Sequence, residues 1–289
     1  AIATGTVITD NSAAALPSVA TLGSAAEKGD AAAQYKLGTL YAQGKDVKQN
    51  LKLAAYWFLQ AANQGHSGAQ TDLGYAYGSG RGVPMNVTQA AMWYRKAAAQ
   101  GNAIAQTNLG FAYASGSGVR LDPKQAADWF LKAANQNYAS AQANLGVMYV
   151  AGNGVDQNLK EAFSWSEKAA LQGNATGQYT LGLIYSNADY ARLRGTTANF
   201  SEAAKWFEKA AAQGHREAQT NLGALYANGQ GVARDLHKAY FWLSLAIIAG
   251  DDSATPGRDR VASYLTRDQA FEIQQQAARW KPAVIVMHQ

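Results

Sequence analysis

Cysteine is absent from this 289-residue sequence. That excludes disulfide stapling, zinc–thiolate sites and thiol catalysis, though it leaves the compartment open. Charge is also sparse, at 16% of residues, against a hydrophobic fraction of 48% that is ample for a core. No apolar run approaches the roughly 18 residues of a membrane span, so no transmembrane segment is expected. The histidines are His66, His215, His237 and His288. None lies within ligand spacing of another and no His-x-x-x-His occurs, so no metal site is expected. No Gly-x-Ser-x-Gly is present, and carboxylates are few, with those in the N-cap slot already in use as caps. Gly78, Gly80 and Gly82 imitate a phosphate loop but follow a helix instead of a strand. The chain is read as a non-enzyme with no catalytic residue and no cofactor.

Net charge is +5 and the pI is 9.2, which raises the question of nucleic acid. The placement of the cations answers it. Lys96, Lys132, Lys168 and Lys209 share one recurring slot near the C-terminus of a helix, where a cation complements the helix dipole, and Gln60 holds the same slot earlier in the chain. No block of like charges is interleaved with aromatics, so no nucleic-acid partner is expected. The chain starts at Ala1 with small residues, as a mature chain would after signal-peptide removal, and a periplasmic or secreted location is expected. A trimmed chain would start the same way.

What the sequence does contain is a period. Leu-Gly followed by Tyr recurs at Leu37, Leu73, Leu109, Leu145, Leu181 and Leu222, at intervals of 36 four times and then 41 (222−181). Trp57, Trp93, Trp129, Trp165, Trp206 and Trp242 keep the same intervals. Such a period means stacked supersecondary units, each unable to bury its apolar face alone.

One unit shows how the pattern folds. Ala105, Leu109, Ala112 and Tyr113 fall at i, i+4, i+7 and i+8, a single helical stripe, and Gly116 ends that helix. After a short loop, Asp122 and Pro123 supply an N-cap and a first helical residue. Asn50, Asn86, Asn158, Asn199 and Asp235 hold the capping slot elsewhere. The second helix places Ala126, Trp129, Phe130 and Ala133 on one face and ends at Asn137, where other units have glycine. Asparagine tolerates the left-handed conformation required there. Gly110 and Ala126 allow close approach, with Leu109, Tyr113 and Trp129 filling the space between layers, so the tryptophan ladder reads as structural.

Between Tyr185 and Asn199 the connecting segment is five residues longer than its counterpart (199−185=14 against 158−149=9). Residues 186–198 are either a tolerated insertion or an added functional loop. The expected organisation is a flexible segment over 1–16, an N-capping helix over 17–30, six repeats over 31–250, and capping helices with an apolar tail over 251–289. Thr266 and Gln269 form a capping box for the last helix, which Pro282 stops. The tail AVIVM is apolar and extended and is expected to pack or pair, the last unit being one place for it.

The segments AQTDLGYAYGSGRGV with QAAMWYRKAAAQG, and AQTNLGALYANGQGV with HKAYFWLSLA, resemble the Sel1-like repeat family, relatives of the tetratricopeptide repeats. The resemblance covers about residues 31 to 250, and LTRDQAFEIQQQAARW resembles the closing helix of bacterial members. It implies an all-α fold, a right-handed α/α solenoid superhelix of six helix-pair repeats with capping helices and with first helices lining a concave groove. It also implies a binding role, as scaffold, envelope or host-interaction protein, or as an immunity protein that neutralises a secreted toxin effector in the periplasm. One cysteine-rich subfamily depends on disulfides, and this chain departs from it.

The groove is the candidate site. At 100° per residue, Thr107, Asn108 and Phe111 lie about 160°, 260° and 200° from Leu109. The equivalent slots supply Asp72, Tyr75, Asn144, Tyr179 and Asn221. Amides can donate to and accept from a peptide backbone, and aromatics supply desolvated contact area. The asparagines could equally bond the neighbouring repeat. The expected partner is a protein or an extended peptide, bound by a monomer.

Overall fold

A computed structural model describes residues 19–193 and 196–283. The flexible segment expected over 1–16, residues 284–289 of the apolar tail and His288 lie outside the described residues. The described chain contains sixteen α-helices, no strand, and two compact units that meet in sequence at Gln100 and Gly101.

In the first unit, α1 (Val19–Glu27) precedes two helix pairs. These are α2 (Ala31–Gln43) with α3 (Leu51–Asn63), and α4 (Ser67–Ser79) with α5 (Val87–Ala99). The second unit begins with α6 (Ala103–Ser115) and α7 (Pro123–Asn135), then α8 (Ala139–Ala151) and α9 (Leu159–Leu171). It continues with α10 (Ala175–Ser186), a short α11 (Ala188–Leu193), α12 (Phe200–Ala212), α13 (Arg216–Asn228) and α14 (Leu236–Ile248). It closes with α15 (Thr255–Ala262) and α16 (Arg267–Arg279).

The helix boundaries follow from local chemistry. The side chains of Asn50, Asn86, Asp122, Asn158, Asn199 and Asp235 each accept an N–H from the first turn of their second helix. Each such cap contributes about 1 kcal/mol. Asn137 adopts φ 65°, the left-handed backbone expected of it. Thr266 and Gln269 form the capping box on α16. Beyond α16, the Ala283 N–H donates to the Ala212 carbonyl at 2.8 Å, and Trp280 meets Trp242 edge to face.

The tryptophans pack against the core of the preceding repeat, as Trp93, Trp165 and Trp242 show, but they are not the residues beneath the Leu-Gly glycines. The residue beneath the Leu-Gly glycine is the one after each tryptophan. A Cβ on Gly110 would sit 2.7 Å from the Phe130 ring, and Phe58, Tyr94, Phe207 and Leu243 stand equally close to Gly38, Gly74, Gly182 and Gly223. Phe130 is 2% exposed, whereas Trp129 is half-buried, as are all the ladder tryptophans except Trp93. A helix turns 100° per residue, so two adjacent aromatics cannot both face the layer beneath. The tryptophan faces the preceding repeat, with one side of its ring left beside its own helix. There the recurring lysine folds back over its ring, with Nζ 4.1, 3.9, 4.2 and 4.1 Å from the centroids of Trp93, Trp129, Trp165 and Trp206. These lysines make cation–π contacts in addition to any complement of the helix dipole.

Neighbouring repeats are joined by buried glutamines, a feature the apolar pattern did not disclose. In the first unit, Gln34 and Gln70 donate to the carbonyls of Ala26 and Ala62, and their side-chain oxygens accept from Gln64 and Gln100 at 2.8 Å. In the second, Gln142, Gln178 and Gln219 donate to Ala134, Ala170 and Ala211. Gln136, Gln172 and Gln213 donate at 2.7 Å to Gln106, Gln142 and Gln178. A buried amide is tolerated because both its ends are used. Gln219 is the exception, because Ala249 stands where a donor glutamine belongs and Gln219 Oε1 has no partner.

The insertion folds inward. Its residues 188–193 form α11, whose Tyr190 is buried and stacks on Phe163 with ring centroids 5.6 Å apart. Phe163 stands where four other repeats have alanine, and Ser166 where they have an aromatic or leucine. The fourth repeat has thus moved its bulk from one side of α9 to the other, and α11 covers it.

Candidate functional site

The expected contact residues divide between the two units. In the first, Asp72 and Tyr75 lie one turn apart on α4 and line one pocket of about 270 Å³ with Thr39, Phe58, Ala76 and Arg81. The pocket floor is apolar, with one carboxylate on its wall. Burial raises the Asp72 carboxyl above the ordinary carboxylate range, opposed by a hydrogen bond from the Tyr35 hydroxyl and by His66. Burial and the neighbouring Asp72 charge push the Tyr35 phenol up in turn. Tyr75 is 52% exposed, and the Arg81 guanidinium lies 5.9 Å from its ring centroid.

In the second unit, Phe111 is 43% exposed on α6, with its ring edge against Phe130 at 5.2 Å. Asn108 is half-buried three residues earlier on the same helix. Thr107 departs from the expectation that it projects outward. It is 2% exposed and its hydroxyl donates to the Ala103 carbonyl, so the helix backbone is its partner. Asn144 on α8 is half-buried and donates to the Ser140 carbonyl of its own helix. Val147, which shares the slot of Tyr75 and Phe111, is 40% exposed.

Tyr179 and Asn221 are brought together, and their arrangement accounts for the paired histidines. Asn221 donates to the Glu217 carbonyl and hydrogen-bonds the Tyr179 hydroxyl, while the Tyr179 ring stacks on His215 at 4.5 Å. In the first unit, Tyr35, His66 and Asp72 form the same trio, with rings 4.4 Å apart. Tyrosine two residues before the recurring Leu-Gly leucine coincides in this chain with histidine at the next first-helix cap, a pairing legible in the sequence. Both histidines cap through Nδ1, accepting from Ala69 N–H at 3.2 Å and Ala218 N–H at 3.4 Å. Burial lowers the His215 pKa, so its neutral, capping form is favoured despite Glu217 Oε2 at 3.3 Å. Asn221 therefore bonds the neighbouring repeat, whereas Asn144 bonds its own helix.

Among the described residues no group of three or more histidines or carboxylates could hold a metal ion, and no helix is long and apolar enough to cross a membrane. Exposed aromatic and aliphatic side chains beside half-used amides can hold a polypeptide.

The Sel1 repeat family model matches six times, at residues 31–66, 67–102, 103–138, 139–174, 175–215 and 216–251. A solved Sel1 repeat protein from Oxalobacter formigenes is 30% identical, with a TM-score of 0.69 over 79% of this chain and 91% of that one. A protective antigen of uropathogenic Escherichia coli with an SLR fold is 26% identical over 90% of this chain and 78% of that one, with a TM-score of 0.49. An immunity protein from Pseudomonas aeruginosa is 22% identical over 77% and 83%, with a TM-score of 0.47. No curated protein matches the chain.

Proposed function

The chain belongs to the Sel1 repeat family, and from that premise we propose that it is a scaffold holding a peptide or protein partner on exposed first-helix residues. Sel1 repeats mediate protein–protein interaction. The observation that supports this reading is the exposure of Tyr75 in the first unit and of Phe111 and Val147 in the second, each a large apolar side chain in a repeat slot that folding alone would leave polar. Each has an amide or carboxylate on the residue three before it, Asp72, Asn108 or Asn144, to orient a polypeptide backbone. The reading includes an envelope or exported location and a monomeric chain with no cofactor.

Pulldown from an envelope extract, with mass spectrometry of the retained protein, supplies the partner. Phe111→Ala should then weaken its binding by about 2 kcal/mol or more, as for an aromatic anchor. Lys96→Ala and Lys132→Ala should change affinity little, since those lysines rest on tryptophan rings. Loss of binding in the lysine variants with Phe111→Ala unaffected would place the partner on the second helices and refute the reading. A retained toxin that loses activity on binding would give the scaffold an immunity role.

A further inference from the structure

The lysine that covers the tryptophan in four repeats is missing from the first, where Gln60 occupies its slot. There the Trp57 ring, edge to face with Tyr56 at 5.1 Å, lines a cavity of about 520 Å³ between the ends of α1 and α3. We propose that this cavity receives a lysine side chain from a partner polypeptide, whose ammonium takes the place of the lysine that the repeat lacks.

Three features favour a cation. Glu27 is the one charged residue lining the cavity, so its local charge is negative. The cavity also lies at the C-terminal turns of two helices, beside Ala26 and Glu27 of α1 and Gln60 and Asn63 of α3. The carbonyls there carry the negative end of each helix dipole. Finally, Trp57 and Tyr56 offer π-electron density of the kind that binds an ammonium within about 6 Å, and the other repeats already use the equivalent ring in that way. Gln64 and Gln34 lie on the same wall but are engaged with each other and with the Ala26 carbonyl, which leaves Gln60 and Asn63 as the adaptable amides.

Among the described residues, no lysine or arginine lines the site. Lys28, Lys36 and Lys52, the lysines nearest in sequence, do not line the cavity. Residues 1–18 contain neither lysine nor arginine. The site shares no residue with the first-helix surface proposed above. Its success or failure is therefore separate from that reading.

The test is an NMR titration of the full chain, followed at the Trp57 indole N–H and assigned by its loss in Trp57→Phe. The probes are a capped pentapeptide with a single lysine between glycines and serines, the same peptide with norleucine, and n-butylammonium. The lysine peptide should shift the Trp57 signal saturably and the norleucine peptide should not. Gln60→Lys, which gives the repeat its own covering lysine, should weaken that binding at least tenfold and raise the melting temperature. Glu27→Gln, a change at an exposed position that leaves the fold intact, should weaken it about three- to tenfold. Tyr75→Ala and Phe111→Ala should leave it unchanged. Equal shifts from the norleucine peptide, or binding that survives Gln60→Lys in a folded protein, would overturn the proposal. Saturation by n-butylammonium without response to the peptide would mean a free amine, and dimerisation through the site would mean a second copy. Either result would overturn the assignment to a partner's lysine.

Discussion

Replacing Ala249 by glutamine should stabilise the second unit, because it supplies the one donor missing from the glutamine ladder. In four repeats a glutamine 30 residues after the buried one donates to its side-chain oxygen at 2.7–2.8 Å, and across the insertion Gln213 does so from 35 residues after Gln178. Position 249 stands 30 residues after Gln219, whose Oε1 is buried without a partner. Ala249 is exposed at the end of α14, so the longer side chain displaces nothing buried and only its amide enters the interface. A new hydrogen bond contributes roughly 0.5–1.5 kcal/mol net, and relief of an orphaned acceptor brings the gain toward the upper end. Ordering the glutamine side chain offsets part of this, leaving about 1 kcal/mol. Urea unfolding should show a higher midpoint with an unchanged m-value. The same substitution in a Gln219→Leu background should give no gain, since the acceptor is gone. A neutral Ala249→Gln, or a gain that persists without Gln219, would refute the ladder as the cause.

The core assignment predicts that Phe130→Ala costs about 3–5 kcal/mol in a denaturant titration. Trp129→Ala should cost less, since that ring is half-buried, and the reverse order would restore tryptophan as the central filler. Asp72→Asn should raise stability at pH 7, because burial disfavours the charged carboxylate and asparagine holds the same slot at 108, 144 and 221. Asp72 has its folded pKa above the unfolded one, so this advantage should vanish as pH falls below about 4; an advantage independent of pH would exclude the carboxylate as its source. For His215 the folded pKa lies below the unfolded value of about 6.5. Its contribution is therefore intact above that pH and declines as pH falls from there, when the unfolded chain takes up the proton first. His215→Asn keeps a capping side chain, as at Asn102 and Asn174, and should flatten that part of the stability profile.

The register of Leu-Gly, tyrosine and tryptophan sufficed to place the helix pairs, because a helix's length and ends are set by residues within a turn of its own backbone. Asp122 caps α7 and Asn137 ends it for reasons that need no neighbour. The angular position of a side chain on its helix is equally local, and it singled out Tyr75 and Phe111, which are exposed. What angle alone could not supply is the covering of each face by the adjoining helices. Thr107 was placed outward by its angle yet is buried, and Phe130 displaced Trp129 as the deeper ring beneath Gly110. Gln142 looks like a surface residue by polarity, but only the tertiary structure brings Gln172 and the Ala134 carbonyl to its two ends. Likewise, residues 188–193 read as a loop until Phe163 offers Tyr190 a ring to stack on. Burial of a polar or aromatic group is decided by partners 30 or so residues away, and their chemistry enters the free energy only once the repeats are stacked.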